Sequence, residues 1–177
     1  LAEVKRFAAP DGKATGETLT VYSSLDTPLA GPMIRAFQEA NPDVTVVYED
    51  LQTVDIYERV VDETDAGGAT ADFAFSSSMD LQVKLANDGY AQESAVPLSG
   101  LWPRWANWRD TAYALTYEPA VFIYHKPSFA NEAPPKTRAE VIEYLRTHAD
   151  SIYGRIATYD IERSGVGFMF FSRDQEQ

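Results

Sequence analysis

Three short runs gather side chains suited to holding a small polar molecule: Ser23-Ser24-Leu25-Asp26-Thr27, Ser76-Ser77-Ser78 and Ser164-Gly165-Val166-Gly167. Each stands just ahead of a helical pattern. A hydroxyl cluster there adds side-chain donors to the unpaired N–H groups and positive partial charge of a helix start, a combination that cradles anions. Ordinary N-capping uses the same residue types, so one such cluster alone says little. Two clusters after alternate strands of one sheet say more, because neighbouring strands would make them face each other. Ligand binding is therefore expected at Ser23, Ser24, Asp26, Ser76, Ser77 and Ser78, with Ser164 and Gly165 as a third contribution.

Other chemistries lack their residues. The chain has no cysteine, which removes disulfides, thiolate metal sites and cysteine nucleophiles. His125 and His148 have no HExxH spacing, so both read as structural or surface residues and no metal site is expected. Ser164 lies in RSGVG, which is not the Gly-x-Ser-x-Gly of a nucleophile elbow. There is no P-loop and no GxGxxG after a strand. The residues point to a binding protein with no cofactor, not to an enzyme.

The elements that must position these clusters alternate. Leu19–Tyr22 is a short β-rich run, and Asp26-Thr27-Pro28 opens a helix with Leu29, Met33 and Phe37 at a spacing of four. That apolar stripe, with Ile34 beside it, is expected to face inward, and Asn41-Pro42 ends the helix. Val44–Tyr48 is a second strand, and Thr53–Asp65 a second helix with Val54, Tyr57 and Val61 inward. Ala71–Phe75 is a third strand, and Met79–Asp88 a helix burying Leu81 and Leu85 before the stop at Gly89. This alternation predicts an α/β fold: an open, doubly wound, mostly parallel sheet.

Beyond it the pattern changes. Trp102, Trp105 and Trp108 recur at a spacing of three and are expected to plug a core face or cover a lobe edge, with ligand stacking a secondary reading. Two β-runs, 113–117 and 120–124, read as a crossover to a second α/β lobe. Thr137-Arg138-Ala139-Glu140 is a capping box opening a helix with Val141, Ile142 and Leu145 inward, and Arg155–Tyr159 reads as another strand. The expected organisation is an irregular segment 1–18, a first lobe 19–112, crossover or hinge strands 113–126, and the beginning of a second lobe 127–177.

A formal net charge of −12 disfavours nucleic acid and anionic membrane surfaces, and the charges are dispersed as on a solvated exterior. No apolar run approaches the roughly 18 residues that would span a bilayer. The polar, small-residue-rich start, Leu1–Glu17, suits a secreted chain after removal of its signal peptide.

Taken together, LTVYSSLD (19–26), ADFAFSSS (71–78), NDGYAQE (87–93), ALTYEPAVFIYHKP (114–127), PPKTRAE (134–140) and GRIATYDIERSGVG (154–167) resemble the type-2 periplasmic binding protein fold. The likeness is to extracellular solute-binding proteins of ferric-iron and phosphorylated-solute ABC importers. It implies a periplasmic, non-enzymatic receptor that closes two lobes on a small, anionic solute and delivers it to an inner-membrane permease. It further implies a hinge at Tyr117 and Glu118, with Ser164 and Gly165 in a second-lobe loop. Ferric iron is the alternative cargo, but no Tyr-Tyr pair of the ferric-binding kind occurs in the chain. An extracytoplasmic sensor module is the rival of another class. Family members run longer, so the resemblance also implies a truncated chain or an intertwined homo-oligomer that completes it.

Overall fold

The structure, a computed structural model, describes residues 3–10, 12, 16–95, 102–117, 119 and 121–175. It divides into two compact units: Leu1–Thr116 with Tyr159–Gln177, and Tyr117–Thr158.

The first unit is built on a four-stranded sheet in the order β1-β3-β2-β4. Strand β2 (Thr18–Ser23) lies parallel to β3 (Thr45–Asp50), with Ser23 opposite Asp50. On its other side β2 lies parallel to β4 (Phe73–Phe75), with Ser23 opposite Phe75. Helix α1 (Thr27–Ala40) connects β2 to β3, and α2 (Thr53–Asp65) connects β3 back past β2 to β4. The winding therefore reverses between β2 and β4, the position where open α/β sheets bind their ligands.

Period-two alternation along β2 sends successive side chains to opposite faces. Val21 packs with Val46, Tyr48, Ala30 and Ile34 under α1. Tyr22 packs with Leu51, Ile56, Val60 and Leu85, the core shared by α2 and α3 (Met79–Asn87). Helix α3 stops where expected: Gly89 adopts a positive φ of 88°, and Tyr90 N–H reaches Leu85 O at 2.9 Å.

Several expectations are corrected. The start is not irregular throughout, because β1 (Glu3–Phe7) pairs antiparallel with β3 at the sheet edge. It carries no inward apolar pattern, since residues 3–6 are exposed, and so leaves little sequence signal. Helix α1 is also turned: Ala30, Gly31, Ile34 and Gln38 are buried, whereas Leu29, Met33 and Phe37 are 62%, 49% and 40% exposed. Small residues let the helix approach the sheet, and Gln38 Nε2 faces the carbonyls of Phe7, Ala8 and Val44 at 3.0–3.1 Å. In α2 the buried residues are Thr53, Ile56 and Val60, with Tyr57 and Val61 packing beside them.

The tryptophans form no common plug. Trp102 is half-buried edge-on against Tyr113 at 5.6 Å, but Trp105 is 79% exposed and Trp108 donates to Asn87 Oδ1 at 3.0 Å. A hairpin of β5 (Asn107–Trp108) and β6 (Ala112–Tyr113) lies ahead of the expected crossover runs, of which only Tyr113 is in a strand among the described residues.

The second unit holds a 3₁₀ turn (Lys126–Phe129), α4 (Arg138–Thr147) and the short α5 (Ala149–Ile152). The Thr137 half of the capping box forms, its Oγ1 accepting from Glu140 N–H at 3.2 Å, while Glu140 Oε2 accepts from the preceding Lys136 N–H at 2.7 Å. Yet none of these elements buries a residue, and Ile142 and Leu145 stay 42% and 37% exposed. Neither 121–124 nor 155–159 joins a sheet among the described residues.

The final helix, α6 (Gly165–Gln175), packs against α2 and α3 of the first unit. Residues 159–177 thus group with that unit and not with the segment before them.

Candidate functional site

The C-terminal ends of β2 and β4 are adjacent, and the turns that follow bond to each other. Ser24 N–H donates to Phe75 O at 3.0 Å, and Ser77 N–H donates to Ser24 Oγ at 3.2 Å. Residues 53 positions apart are therefore held in one patch at the switch point.

The serines divide by burial. Ser23 and Ser78 are fully buried, and each serves its own turn. Ser23 Oγ accepts from Leu25 N–H at 3.1 Å, and Ser78 Oγ donates to Asp80 Oδ1 at 2.7 Å. Ser76 Oγ accepts from Ser78 N–H at 3.2 Å. Ser24, Ser76 and Ser77 are half-buried and Asp26 is exposed, so these are the members within reach of a solute. Asp26 ahead of α1 and Ser78 ahead of α3 make no side-chain cap bond, whereas Ser164 caps α6 by accepting from Gly167 N–H at 3.2 Å. At α1 the first N–H groups are nonetheless taken, Thr27 by Asp50 Oδ2 and Leu29 and Ala30 by Asp26 O.

The third cluster arrives from the far end of the chain. Gly165 N–H donates to Thr53 Oγ1 at 2.9 Å across 112 residues, tying the start of α6 to the start of α2. A Cβ on Gly165 would lie 2.2 Å from Ser78 Oγ, so only glycine permits this approach to α3. The structure thus places Ser164 and Gly165 in the first unit, against the Ser76–Ser78 turn, because Gly165 and Gly167 are buried there. The resemblance implied a second-lobe loop for these two residues; their grouping with the first unit depends on contacts distant along the chain. Tyr117 is 86% exposed at the first residue of the second unit, and Glu118 lies outside the described residues.

Two threonines join the site that sequence reasoning did not assign to it. Thr53 receives the Gly165 bond just described. Thr27 is 2% exposed, its N–H donates to Asp50 Oδ2 at 3.1 Å, and its Oγ1 has no hydrogen-bond partner among the described residues. Its place directly after Asp26 and before Pro28 was the available signal.

Behind the turns, charge and burial fix the frame. Arg59 on α2 bonds Glu49 of β3 at 2.5 Å and Glu63 at 2.8 Å, with its guanidinium 4.3 Å above the Tyr22 ring. Tyr22 Oη donates to Glu63 at 2.9 Å. Burial, then the Glu63 bond, pushes the Tyr22 hydroxyl up to about 12. Burial works to lower the Arg59 pKa, but the bonds to Glu49 and Glu63 outweigh it and the net shift is upward. Burial works to raise Glu63, but its bonds from Arg59 and Tyr22 hold it below the usual carboxylate range. Tyr48, raised chiefly by burial, donates to Leu25 O at 2.5 Å and pins the first turn.

A polar cavity of about 240 Å³ is lined by Gln52, Val54, Asp55, Glu58, Glu162 and Arg163, the residues flanking the Thr53–Gly165 contact. Another, of about 280 Å³, lies at Pro10, Arg35, Gln38, Glu39 and Pro42. The serine turns line neither. Among the described residues no group of three or more His, Cys, Asp or Glu side chains is disposed to hold a metal ion. His148 stacks on Tyr144 at 4.1 Å, and His125 Nδ1 bonds Ser128 Oγ at 3.0 Å.

The first unit is thus a mixed α/β fold with a parallel-rich sheet and hydroxyl-bearing turns at its switch point. Over its whole length the chain is similar to a solved protein, the substrate-binding protein of the ABC transporter from Agrobacterium tumefaciens, at 68% identity and a TM-score of 0.95. The chain spans 52% of that protein's length. No family model matches the sequence, and no curated protein matches it. No helix among the described residues is long and apolar enough to cross a membrane.

Proposed function

We propose that the chain is a solute-binding component of an ABC importer, acting outside the cytoplasm, and that the turns after β2 and β4 hold a small, anionic solute. The observation that carries this is the bond between Ser77 N–H and Ser24 Oγ at the switch point. It gathers Ser24, Ser76 and Ser77 beside the start of α3, and the unpartnered Thr27 hydroxyl belongs to the turn that holds Ser24. Among the described residues the hydroxyls of Ser24, Ser76 and Ser77 bond no side-chain base that would activate them, which suits capture and release. The similarity to an ABC-transporter substrate-binding protein supports the transport role, with a membrane permease as the partner that receives the solute. The chain leaves the first unit at Thr116–Tyr117 and re-enters it at Thr158–Tyr159, which is where a hinge including Tyr117 and Glu118 would act.

The test is calorimetric titration with inorganic phosphate, glycerol 3-phosphate and ferric citrate. A phosphate-bearing solute is expected to bind, and Ser24→Ala with Ser77→Ala to weaken it about tenfold, roughly 1.4 kcal/mol, with the melting curve little changed. Undiminished affinity in the double variant removes the strand-end site. Binding of ferric citrate alone, with a tyrosinate charge-transfer band, transfers the reading to ferric iron.

A further inference from the structure

The starts of α2, α3 and α6 meet behind the Ser76–Ser78 turn. Gly165 N–H donates to Thr53 Oγ1 at 2.9 Å, and both residues are buried. The Cα of Gly165 faces Ser78, the residue ahead of α3. A side-chain carbon there would lie 3.1 Å from both Ser78 Cβ and Leu81 Cδ1, and closer still to Ser78 Oγ. Ser78 is itself fully buried, so it has no solvent side into which to shift. Its position is therefore set between α3 and the glycine, and the Thr53 bond holds the glycine there.

Ser78 in turn sets the direction of its neighbours' hydroxyls. Its N–H donates to Ser76 Oγ at 3.2 Å, and a hydroxyl oxygen that accepts an N–H still has its own proton to give. That proton has no acceptor among the described residues. Ser77 N–H donates to Ser24 Oγ at 3.2 Å and leaves the Ser24 hydroxyl in the same condition. Two half-buried hydroxyls are thus arranged as donors by N–H groups of the turn that Gly165 supports. Gly165 and Thr53 lie behind that turn and act on a solute through it.

We propose that Gly165 and Thr53 are positioning residues for the solute site, holding Ser78 so that the Ser76 and Ser24 hydroxyls offer their protons to the solute. The inference rests on the reading of the serine turns as that site. It is tested by calorimetric titration with glycerol 3-phosphate and inorganic phosphate, beside amide NMR spectra, at a temperature where each variant is folded. Gly165→Ala is expected to weaken binding about tenfold, because displaced donors lose their preorganisation. Thr53→Val removes the acceptor of the Gly165 bond without adding bulk at Ser78, and should weaken binding about threefold or more. Thr53→Ser, which keeps that acceptor, should restore it. Val46→Ala is the control: Val46 is 2% exposed in the core under α1, on the opposite face of the sheet. It loosens the fold but should leave affinity within about twofold of the parent, being remote from the turn. Equal weakening by Val46→Ala and Gly165→Ala would make the role merely structural and overturn the proposal. Unchanged affinity in both Gly165→Ala and Thr53→Val overturns it as well. If neither phosphate compound binds the parent, the solute reading fails and the spectra decide the coupling. Ser77 and Ser78 amides that shift in Gly165→Ala and Thr53→Val, but not in Val46→Ala, then support it, and amides that stay in place refute it.

Discussion

Tyr22 shows how one side chain ties the site to its frame. Its ring is 3% exposed in the core beneath α2, its hydroxyl bonds Glu63, and the next residue is Ser23 of the first hydroxyl turn. Its pKa, pushed up to about 12, makes stability depend on pH. An unfolded tyrosine loses its proton near about 10, so between these values the folded state binds the proton more tightly. The contribution is whole below about pH 10 and is lost as pH rises towards about 12. Tyr22→Phe is expected to cost about 1–2 kcal/mol at pH 8, for the lost bond to a charged acceptor. It should also flatten the alkaline decline, though not abolish it, because Tyr48 is shifted in the same direction. Urea unfolding at pH 8 and pH 11 measures both effects. A variant whose stability falls as steeply as the parent's would show that Tyr22 does not carry the linkage.

Among the elements, α6 is the one whose docking rests on a single position. Its first residue bonds Thr53 of α2 and lies against Ser78 of α3, with no room for a side chain. Gly165→Ala is expected to force the start of α6 away and destabilise the first unit by about 1–3 kcal/mol, the usual range for overpacking. Hydrogen exchange should accelerate in residues 166–173, and adding Ser78→Gly should recover part of the loss. Unchanged exchange in Gly165→Ala would mean that α6 is held elsewhere. Helix α1 shows the limits of reading an element alone. Its apolar residues occupy two neighbouring stripes, and Leu29, Met33 and Phe37 are the larger set, but the narrower Ala30–Ile34 stripe meets the sheet. Periodicity gives a helix its apolar positions; the depth available above the strands decides which of them turn inward.

At the scale of the molecule, the units differ in what holds them. The first has a core on each face of its sheet, whereas the helices of the second bury no residue. Local stability follows buried apolar contact, so the second unit should open first. Brief proteolysis is expected to cut within 117–158 while the first unit, still joined through its sheet and α6, keeps its melting transition. Early cuts in β2 or β3 would contradict this division.

What the sequence determined by itself is the alternation of β2, α1, β3, α2, β4 and α3, and with it the parallel sheet and the two serine turns at its strand ends. These are local: β-branched runs, helix stops and hydroxyls before helices are written in adjacent residues. It also indicated likeness to ABC-importer solute-binding proteins, in keeping with the similarity to the Agrobacterium protein. Only the tertiary structure decided that β1 closes one edge, that α1 turns its smaller stripe inward, and that Ser164-Gly165 comes back to Thr53 and Ser78. Each of these depends on a surface made by residues distant along the chain. No local pattern encodes the space that remains once the sheet and its helices have packed.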